Sequence, residues 1–285
     1  MKNIEEHKYK IISGNYAKNN IINIGQGIAD RIDEILEHGC LKELQNENIN
    51  MEIINKLQQI SGVGPKKATE LVNQGISTIE ELKHEIDIKN INVNHHINIG
   101  IKYYNDINLK IPRSEIDLMS KILKDLIYKY NKYLIVEICG SYRRNKQYCG
   151  DIDILITHKN LKSNINEKKY LSKIIKLLKT EKFIIDDLTI AGEKKYMGIC
   201  KLHSILPGRR IDIRCVNYSE FYTALIYFTG SKDTNLLLRN KANLLGYKLN
   251  EYNLLNINNQ TLISIKSEKE LFEILDIEYK EPNKR

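Results

Sequence analysis

Two short runs of alternating character constrain the fold of this chain more than anything else in it: Leu134-Ile135-Val136-Glu137-Ile138-Cys139 and Asp151-Ile152-Asp153-Ile154-Leu155-Ile156. Each reads as a β-strand. Side chains alternate across a strand, so Asp151 and Asp153 share one face while Ile152, Ile154 and Ile156 enter a core on the other. Two carboxylates at that spacing invite a cation. Gly140 and Ser141 follow the first strand directly, which predicts a strand-to-helix turn whose free backbone N–H groups suit phosphate. Arg143 and Arg144 place guanidinium forks beside it, a shape matched to phosphate oxygens. Taken singly, Asp-x-Asp is as readily a solvated strand edge and Gly-Ser an ordinary turn. The coincidence comes from a third acid: Arg209-Arg210-Ile211-Asp212-Ile213-Arg214 is again an alternating strand, with Asp212 between two arginines. Three carboxylates on paired strands can hold two Mg²⁺ that clamp the attacking and leaving oxygens of a phosphoryl transfer.

The 285 residues leave room for two or three small domains, and 42% hydrophobic residues suffice for an ample core. No apolar run is long enough for a membrane span, and Met1-Lys2-Asn3-Ile4-Glu5-Glu6 lacks the apolar stretch of a signal peptide. The expectation is a soluble, intracellular protein. The five cysteines, Cys40, Cys139, Cys149, Cys200 and Cys215, are odd in number and contain no Cys-x-x-Cys pair, so they read as reduced thiols. A net charge of +8 suits a polyanionic partner without proving one. Heavy use of Ile, Asn, Lys and Tyr matches an AT-rich genome and says nothing about function.

The N-terminal half is helical in pattern. Ile24, Ile28, Ile32 and Ile35 recur at helical spacing up to Gly39, and a second unit runs from Glu52 through Ser61-Gly62-Val63-Gly64-Pro65-Lys66-Lys67-Ala68 to Asn73. The second unit is helix, glycine hairpin, helix. Gly62 and Gly64 allow a tight turn and close approach of another backbone, Pro65 suits the first helical position, and Lys66 and Lys67 add charge. Such a hairpin grips a DNA phosphate without reading sequence. Asn23-Ile24-Gly25-Gln26-Gly27 echoes it, so the chain is expected to carry an internal repeat. Capping boxes are expected at Ser77-Thr78-Ile79-Glu80 and at Ser114-Glu115-Ile116-Asp117, the latter opening a helix to about Tyr130, while His95 and His96 read as surface or packing residues of a polar linker. Strands are expected near 134–139, 151–157, 183–190, 195–202 and 210–216, with one helix near 167–180. Further helices follow around Ser219–Phe228 and Asn235–Arg239, with Ser267 capping a last one. The fold class is α+β.

Taken together, these residues resemble the family X DNA polymerases. The motifs that narrow the resemblance are Gly140-Ser141 to Asp151-x-Asp153, Ser61-Gly62-Val63-Gly64-Pro65, Asn94-His95-His96, Ile111-Pro112-Arg113, Arg209 to Arg214, Tyr227-Phe228-Thr229-Gly230-Ser231 and Glu281-Pro282-x-x-Arg285. The resemblance implies a lyase-like helical domain over 1–48, truncated at its start, and a fingers-type helix-hairpin-helix domain over 49–132. A nucleotidyltransferase palm over 133–216 and a nucleotide-selecting α/β thumb over 217–285 complete the order.

By the same resemblance, Asp151, Asp153 and Asp212 are the palm acids that bind two Mg²⁺. Gly140, Ser141, Arg144 and Gly150 contact the triphosphate, with Arg113 near the leaving group. Tyr227, Phe228 and Gly230 line the sugar, and Asn235 and Arg239 face the minor groove of the nascent pair. Arg210 and Arg214 join the hairpin residues Gly62, Gly64, Lys66 and Lys67 in holding DNA. Carbonyls of Gln58, Ile60 and Val63 are matched to a Na⁺ or K⁺ site beneath a phosphate. The expected partners are gapped or primer-template DNA and deoxynucleoside triphosphates. The protein is expected to act as a monomer, in the nucleus or, for a viral chain, the host cytoplasm. The family pattern is broken in two places: Cys149 stands where a serine is common, and Arg31 stands where the lyase nucleophile is a lysine, leaving Lys18 as a 5′-phosphate contact. A guanidinium stays charged and is a poor nucleophile, so polymerase activity without efficient lyase activity is expected. Template-independent nucleotide addition and a decayed DNA-binding scaffold are the alternatives.

Overall fold

The computed structural model describes residues 10–39, 41–161, 164–190, 192 and 194–285, without the side chains of residues 42–49 and 164–168. Cys40 and the first nine residues lie outside the described set. The chain divides into two compact units, one ending at Ile91 and the other beginning at Asn92.

The first unit is helical: α1 Gly14–Asn20, α2 Gln26–His38, α3 Lys42–Leu57, α4 Pro65–Asn73 and α5 Ile79–Asp87. Its two helical hairpins share one backbone solution. Gly25 and Gly64 cap α2 and α4 at φ/ψ of −87/177 and −89/176, and two residues earlier Asn23 and Gly62 stand at φ 67 and 95. In each hairpin the amide four residues on, Ala29 or Ala68, donates to the capping glycine carbonyl, and both alanines are buried. The internal repeat is therefore a repeat of conformation, with asparagine doing in the first turn what glycine does in the second. Close packing of α1 on α2 requires Gly14, because a Cβ there would fall 2.0 Å from the Ala29 carbonyl oxygen. Thr78, one residue later than expected, caps α5. The reason is that Glu81 sits three residues beyond Thr78 and reaches back to the Ser77 and Thr78 amides, closing the box.

The second unit opens with α6 His95–Lys102, so the expected polar linker is a helix start: the Asn94 side chain accepts from the Ile97 amide at 2.9 Å. Then come α7 Tyr104–Ile107, β1 Ile111–Pro112, α8 Arg113–Tyr130, β2 Ile135–Ile138, α9 Gly140–Arg143, β3 Tyr148–Cys149, β4 Ile152–Thr157, α10 Asn164–Thr180, β5 Ile184–Asp187, β6 Lys195–Cys200 and β7 Arg209–Cys215. The remainder is α11 Phe221–Thr229, α12 Lys232–Leu244, β8 Tyr247–Leu249, β9 Leu254–Asn256, β10 Leu262–Ile263 and α13 Glu268–Ile274. No Ser114 cap opens α8. The β1–β3 pair brings the Gln147 carbonyl onto the Arg113 amide at 2.8 Å, and this long-range bond starts the helix at Arg113.

The main sheet runs β2-β4-β7-β6-β5, with β4 parallel to β7 and the other neighbours antiparallel. On one face Ile152, Ile154, Ile156, Ile211 and Ile213 join Ile116, Met119, Leu123 and Ile127 of α8 and Leu171, Ile174 and Leu178 of α10 in a single apolar cluster. Helix α8 thus covers the sheet that follows it in the chain. A second cluster, of Leu155, Val216, Phe221, Ala224 and Leu225, seats α11 on the opposite face. A third, including Ile226, Leu238, Leu254, Leu271 and Phe272, holds α12, the small β10-β9-β8 sheet and α13 together.

Arg209 ties β7 to α8 through a two-pronged pair with Glu115, both bonds 2.8 Å, with the two side chains only 6% and 11% exposed. Removing one partner strands the other charge. Glu115→Ala should cost about 3–5 kcal/mol, read as a lower denaturant midpoint; a shift below about 0.5 kcal/mol would show the pair to be replaceable by water. Cys139, Cys149, Cys200 and Cys215 are buried and in no disulfide, and burial pushes the Cys139 and Cys200 thiols upward, so they are packing residues. No described helix is long and apolar enough to cross a membrane.

Candidate active site

The parallel register of β4 and β7 sets Asp153 directly beside Asp212, and Asp151, two residues before Asp153, shares their face. One carboxylate oxygen from each of the three acids lies within 4.8 Å of the others. Burial, then the charges of Asp151 and Asp212, hold the Asp153 carboxyl well above the usual carboxylate range, against the pull of Arg210 and Arg144. Burial also raises Asp212, despite neighbouring Arg210. Asp212 Oδ1 is buried with no hydrogen-bond partner. An orphaned oxygen among like charges is a donor set for a hard cation, so the cluster can bind metal. Arg210 bonds the Asp151 carboxylate and supplies part of the missing positive charge.

Gly140 is what lets the acids approach the turn. Its φ is +57, and a Cβ would fall 2.1 Å from Asp153 Oδ2, so side-chain space and backbone both demand glycine. Beyond it, Gly140, Ser141 and Arg144 form one wall of a cleft of about 530 Å³ whose floor is the three acids. The lining is continued by Tyr227, Phe228 and Gly230 at the end of α11 and by Asn235 and Arg239 on α12.

The lining is braced. The Arg144 guanidinium donates to the Thr229 carbonyl at 2.5 Å, and Gly230 lies so close beneath it that a Cβ would stand 3.1 Å from Nη1. Asn235 donates to the Tyr227 carbonyl at 2.8 Å and Arg239 lies over the Tyr227 ring at 5.2 Å. Arg214 lines the cleft too, held by Glu251 and Tyr252 at 2.9 Å each and stacked 4.4 Å over Phe228. The Gly230–Ser231 peptide bond is cis, and Ser231 caps α12.

Several expected positions differ. Arg143 is committed to structure: it grips Glu268 with bonds of 3.0 and 2.7 Å and Thr229 Oγ1 at 2.8 Å, and Arg285 takes the same carboxylate at 2.8 Å. Arg113 lines a different hollow, lying 4.0 Å over the Tyr142 ring and donating to the Tyr142 carbonyl at 2.7 Å. Gly150 is exposed and outside the cleft lining. Cys149 pairs with Ile111 in the sheet and is buried, so its thiol faces the core. Lys232 and Leu236, which the sequence reading passed over, line the cleft. Lys195 was also passed over; it lies opposite Arg214 on β6, and its charge acts on Asp212.

The architecture has known counterparts. The family model of the DNA polymerase beta palm matches residues 110–218, that of the DNA polymerase beta thumb matches 224–285, and the fingers domain of DNA polymerase lambda matches 55–108. The chain belongs to the family X DNA polymerases. It is 30% identical to DNA polymerase lambda of Rattus norvegicus over 97% of its own length and 50% of that protein's. It is also 30% identical to DNA polymerase lambda of Arabidopsis thaliana, over 92% and 52% of the respective lengths. To the DNA nucleotidylexotransferase of Xenopus laevis it is 25% identical over 92% and 58%. The chain spans about half the length of the curated relatives it matches. The palm match starts ahead of α8, in keeping with the packing of that helix on the sheet.

In the helical unit, the family-X hairpin presents Gly62, Gly64 and Lys66 exposed, with Lys67 in a loose 3.4 Å pair with Glu70. Buried Ile60 and Val63 anchor the turn, and the Ile60 carbonyl accepts from the Val63 amide at 3.0 Å. In the first hairpin Lys18 is exposed and donates to Gln26 at 2.8 Å, and Arg31 is exposed on α2.

Proposed function

We propose that this chain is a template-directed DNA polymerase that adds deoxynucleotides to a primer 3′-hydroxyl by two-metal phosphoryl transfer, filling short gaps of the kind left in base excision repair. The observation that carries the reading is the cleft itself, which gathers three converging carboxylates, the Arg144 guanidinium and the Asn235–Arg239 pair in one lining. Asp151, Asp153 and Asp212 would hold two Mg²⁺, which supply Lewis-acid activation of the hydroxyl and neutralise the triphosphate. Asp212 Oδ1 is buried without a hydrogen-bond partner, and we assign it to the primer-hydroxyl side. Ser141 and Arg144 hold the triphosphate, with Gly140 and Gly150 allowing its approach, while Tyr227, Phe228 and Gly230 seat the sugar. Asn235 and Arg239 reach the minor-groove edge, where acceptors look alike for all correct pairs, so they test geometry without choosing a base. Arg210, once released from Asp151, is free for a DNA phosphate, as is Arg113 for the leaving group if its side chain turns from Tyr142.

The lobes would take matching roles: lyase-like helices over 1–48, the fingers-type hairpin domain over 49–132, the palm over 133–216 and the thumb over 217–285. The hairpin carbonyls of Gln58, Ile60 and Val63 would hold Na⁺ or K⁺ beneath a phosphate, and the protein would work as a monomer wherever its DNA lies, in the nucleus or a viral host's cytoplasm. Extension of a primer on gapped duplex, run with and without template, tests the reading. Template-dependent addition is expected; equal addition without template would make the chain a template-independent transferase instead.

Gly62→Val tests the grip. Because φ there is +95, valine strains the turn and crowds the approaching backbone. Affinity should fall alike on every DNA sequence, and the slope of log K against log salt should become shallower by about 0.9 for a lost phosphate contact. Losses limited to particular sequences would point to base reading.

Arg31 sets the expected limit on lyase chemistry. An imine needs a deprotonated amine, which a guanidinium does not offer. Borohydride trapping on a 5′-sugar-phosphate substrate should therefore give little adduct. Efficient trapping that disappears in Lys18→Ala would relocate the nucleophile to Lys18.

A further inference from the structure

We infer that the far end of the palm sheet carries a stacking site for an unpaired stretch of nucleic acid. Past the end of β4, a hollow of about 390 Å³ is lined by Tyr133, Ile135, His158, Lys159 and Asn160. Its rings form a ladder: Tyr133 meets His158 at 6.4 Å and 84°, His158 stacks on Tyr170 at 6.1 Å and 12°, and Tyr170 meets Tyr130 at 6.4 Å. The Tyr133 side of the ladder is open, with the residue 68% exposed.

Both walls are pre-formed. The Tyr133 amide is tied to Asn131 Oδ1 at 3.0 Å, and the turn carrying Lys159 and Asn160 is closed by the bond from the Leu161 amide to the His158 carbonyl at 2.7 Å. His158 Nδ1 accepts from the Asn160 amide at 2.9 Å, which leaves Nε2 as the protonated donor of the neutral ring. Two rings nearly at right angles make a corner, where a flat heterocycle can lie on one face and meet the other edge-on.

The charge at this corner selects a polyanion. Among the described residues no acid lines the hollow and neither Lys132 nor Lys159 enters an ion pair, Lys159 being part of the lining and Lys132 lying 5.3 Å over the Tyr133 ring. Aromatic faces interleaved with unpaired lysines suit single strands, because an unpaired base offers a π-face that a duplex keeps stacked inside. The place also fits. His158 is five residues beyond Asp153 along β4, about 17 Å at 3.3 Å per residue, which about five nucleotides stacked at 3.4 Å would bridge.

The test uses the full chain and a labelled oligothymidine of about a dozen nucleotides, with affinity read by anisotropy and position by photocrosslinking of 5-iododeoxyuridine. Crosslinks to Tyr133 or His158 are expected. Tyr133→Ala should weaken single-strand affinity about five- to a hundredfold and Tyr133→Phe less than about twofold, while Lys159→Glu should lower the salt slope by about 0.7. The readouts need no turnover, so they stand apart from the polymerase reading. Unchanged affinity in both Tyr133→Ala and Lys159→Glu, or crosslinks confined to other surfaces, would overturn the assignment. So would a concentration-dependent dimer abolished by Tyr133→Ala, which would give this face to a second copy of the chain.

Discussion

Asp212→Asn should slow nucleotide addition at least about a thousandfold, a loss of about 4 kcal/mol of transition-state stabilisation, while DNA affinity stays within about twofold. Asparagine keeps the shape of the side chain and removes the charge. In the register that pairs Asp212 with Asp153, the lost charge is the one that faces the cluster from β7, and no other carboxylate on that strand can replace it. Folding should not suffer. Burial raises the Asp212 carboxyl, so the fold disfavours its ionised form; that penalty appears as pH rises through the folded value and is absent from a neutral amide. Metal-free Asp212→Asn should therefore melt no lower than the parent at pH 8. Single-turnover extension on gapped duplex, with affinity measured separately, checks both halves. A variant extending at more than about a tenth of the parental rate would remove this carboxylate from the chemistry.

The acids were legible in the sequence because a strand has period two. An Asp-x-Asp followed by isoleucines puts charge and core on opposite faces whatever the rest of the fold does, and Asp212 between arginines repeats the pattern. What no local pattern holds is the parallel pairing of β4 with β7, which joins residues 59 apart as neighbours. The same gap explains the errors. Arg143 and Arg144 are adjacent and equally suited to phosphate, yet one turn of helix sends Arg144 to the cleft and Arg143 to Glu268, 125 residues away. The start of α8 was misplaced because a carbonyl from Gln147, distant in sequence, serves where a serine cap was expected. Lys232 and Leu236 were missed since polar and apolar residues on an exposed helix carry no mark of facing a site until α11 and α12 are docked. Cys149 reads as a lost hydroxyl beside the phosphate turn, and only its pairing with Ile111 shows that the side chain enters the core.

Gly140→Ala should reduce nucleotide addition about a hundredfold or more, although alanine adds one methyl group. That methyl would stand 2.1 Å from Asp153 Oδ2, at a residue whose φ is +57. Contact that short cannot persist, so either the Asp153 carboxylate rotates away or α9 shifts from β4. Rotation takes one carboxylate out of the cluster. Displacement moves Ser141 and Arg144 off the wall of the cleft, and a misplacement of about 1 Å in a positioned group is enough for a hundredfold loss. The two routes leave different traces. Loss of the Asp153 carboxylate should raise the Mg²⁺ concentration needed for half-maximal rate with little change in KM for the nucleotide, whereas displacement of the turn should raise that KM. Backbone strain of about 1–3 kcal/mol should accompany either one as a lower Tm. Parental activity in a folded Gly140→Ala protein would mean that Asp153 reaches its working position without the space this glycine leaves, and would separate the turn from the acids beside it.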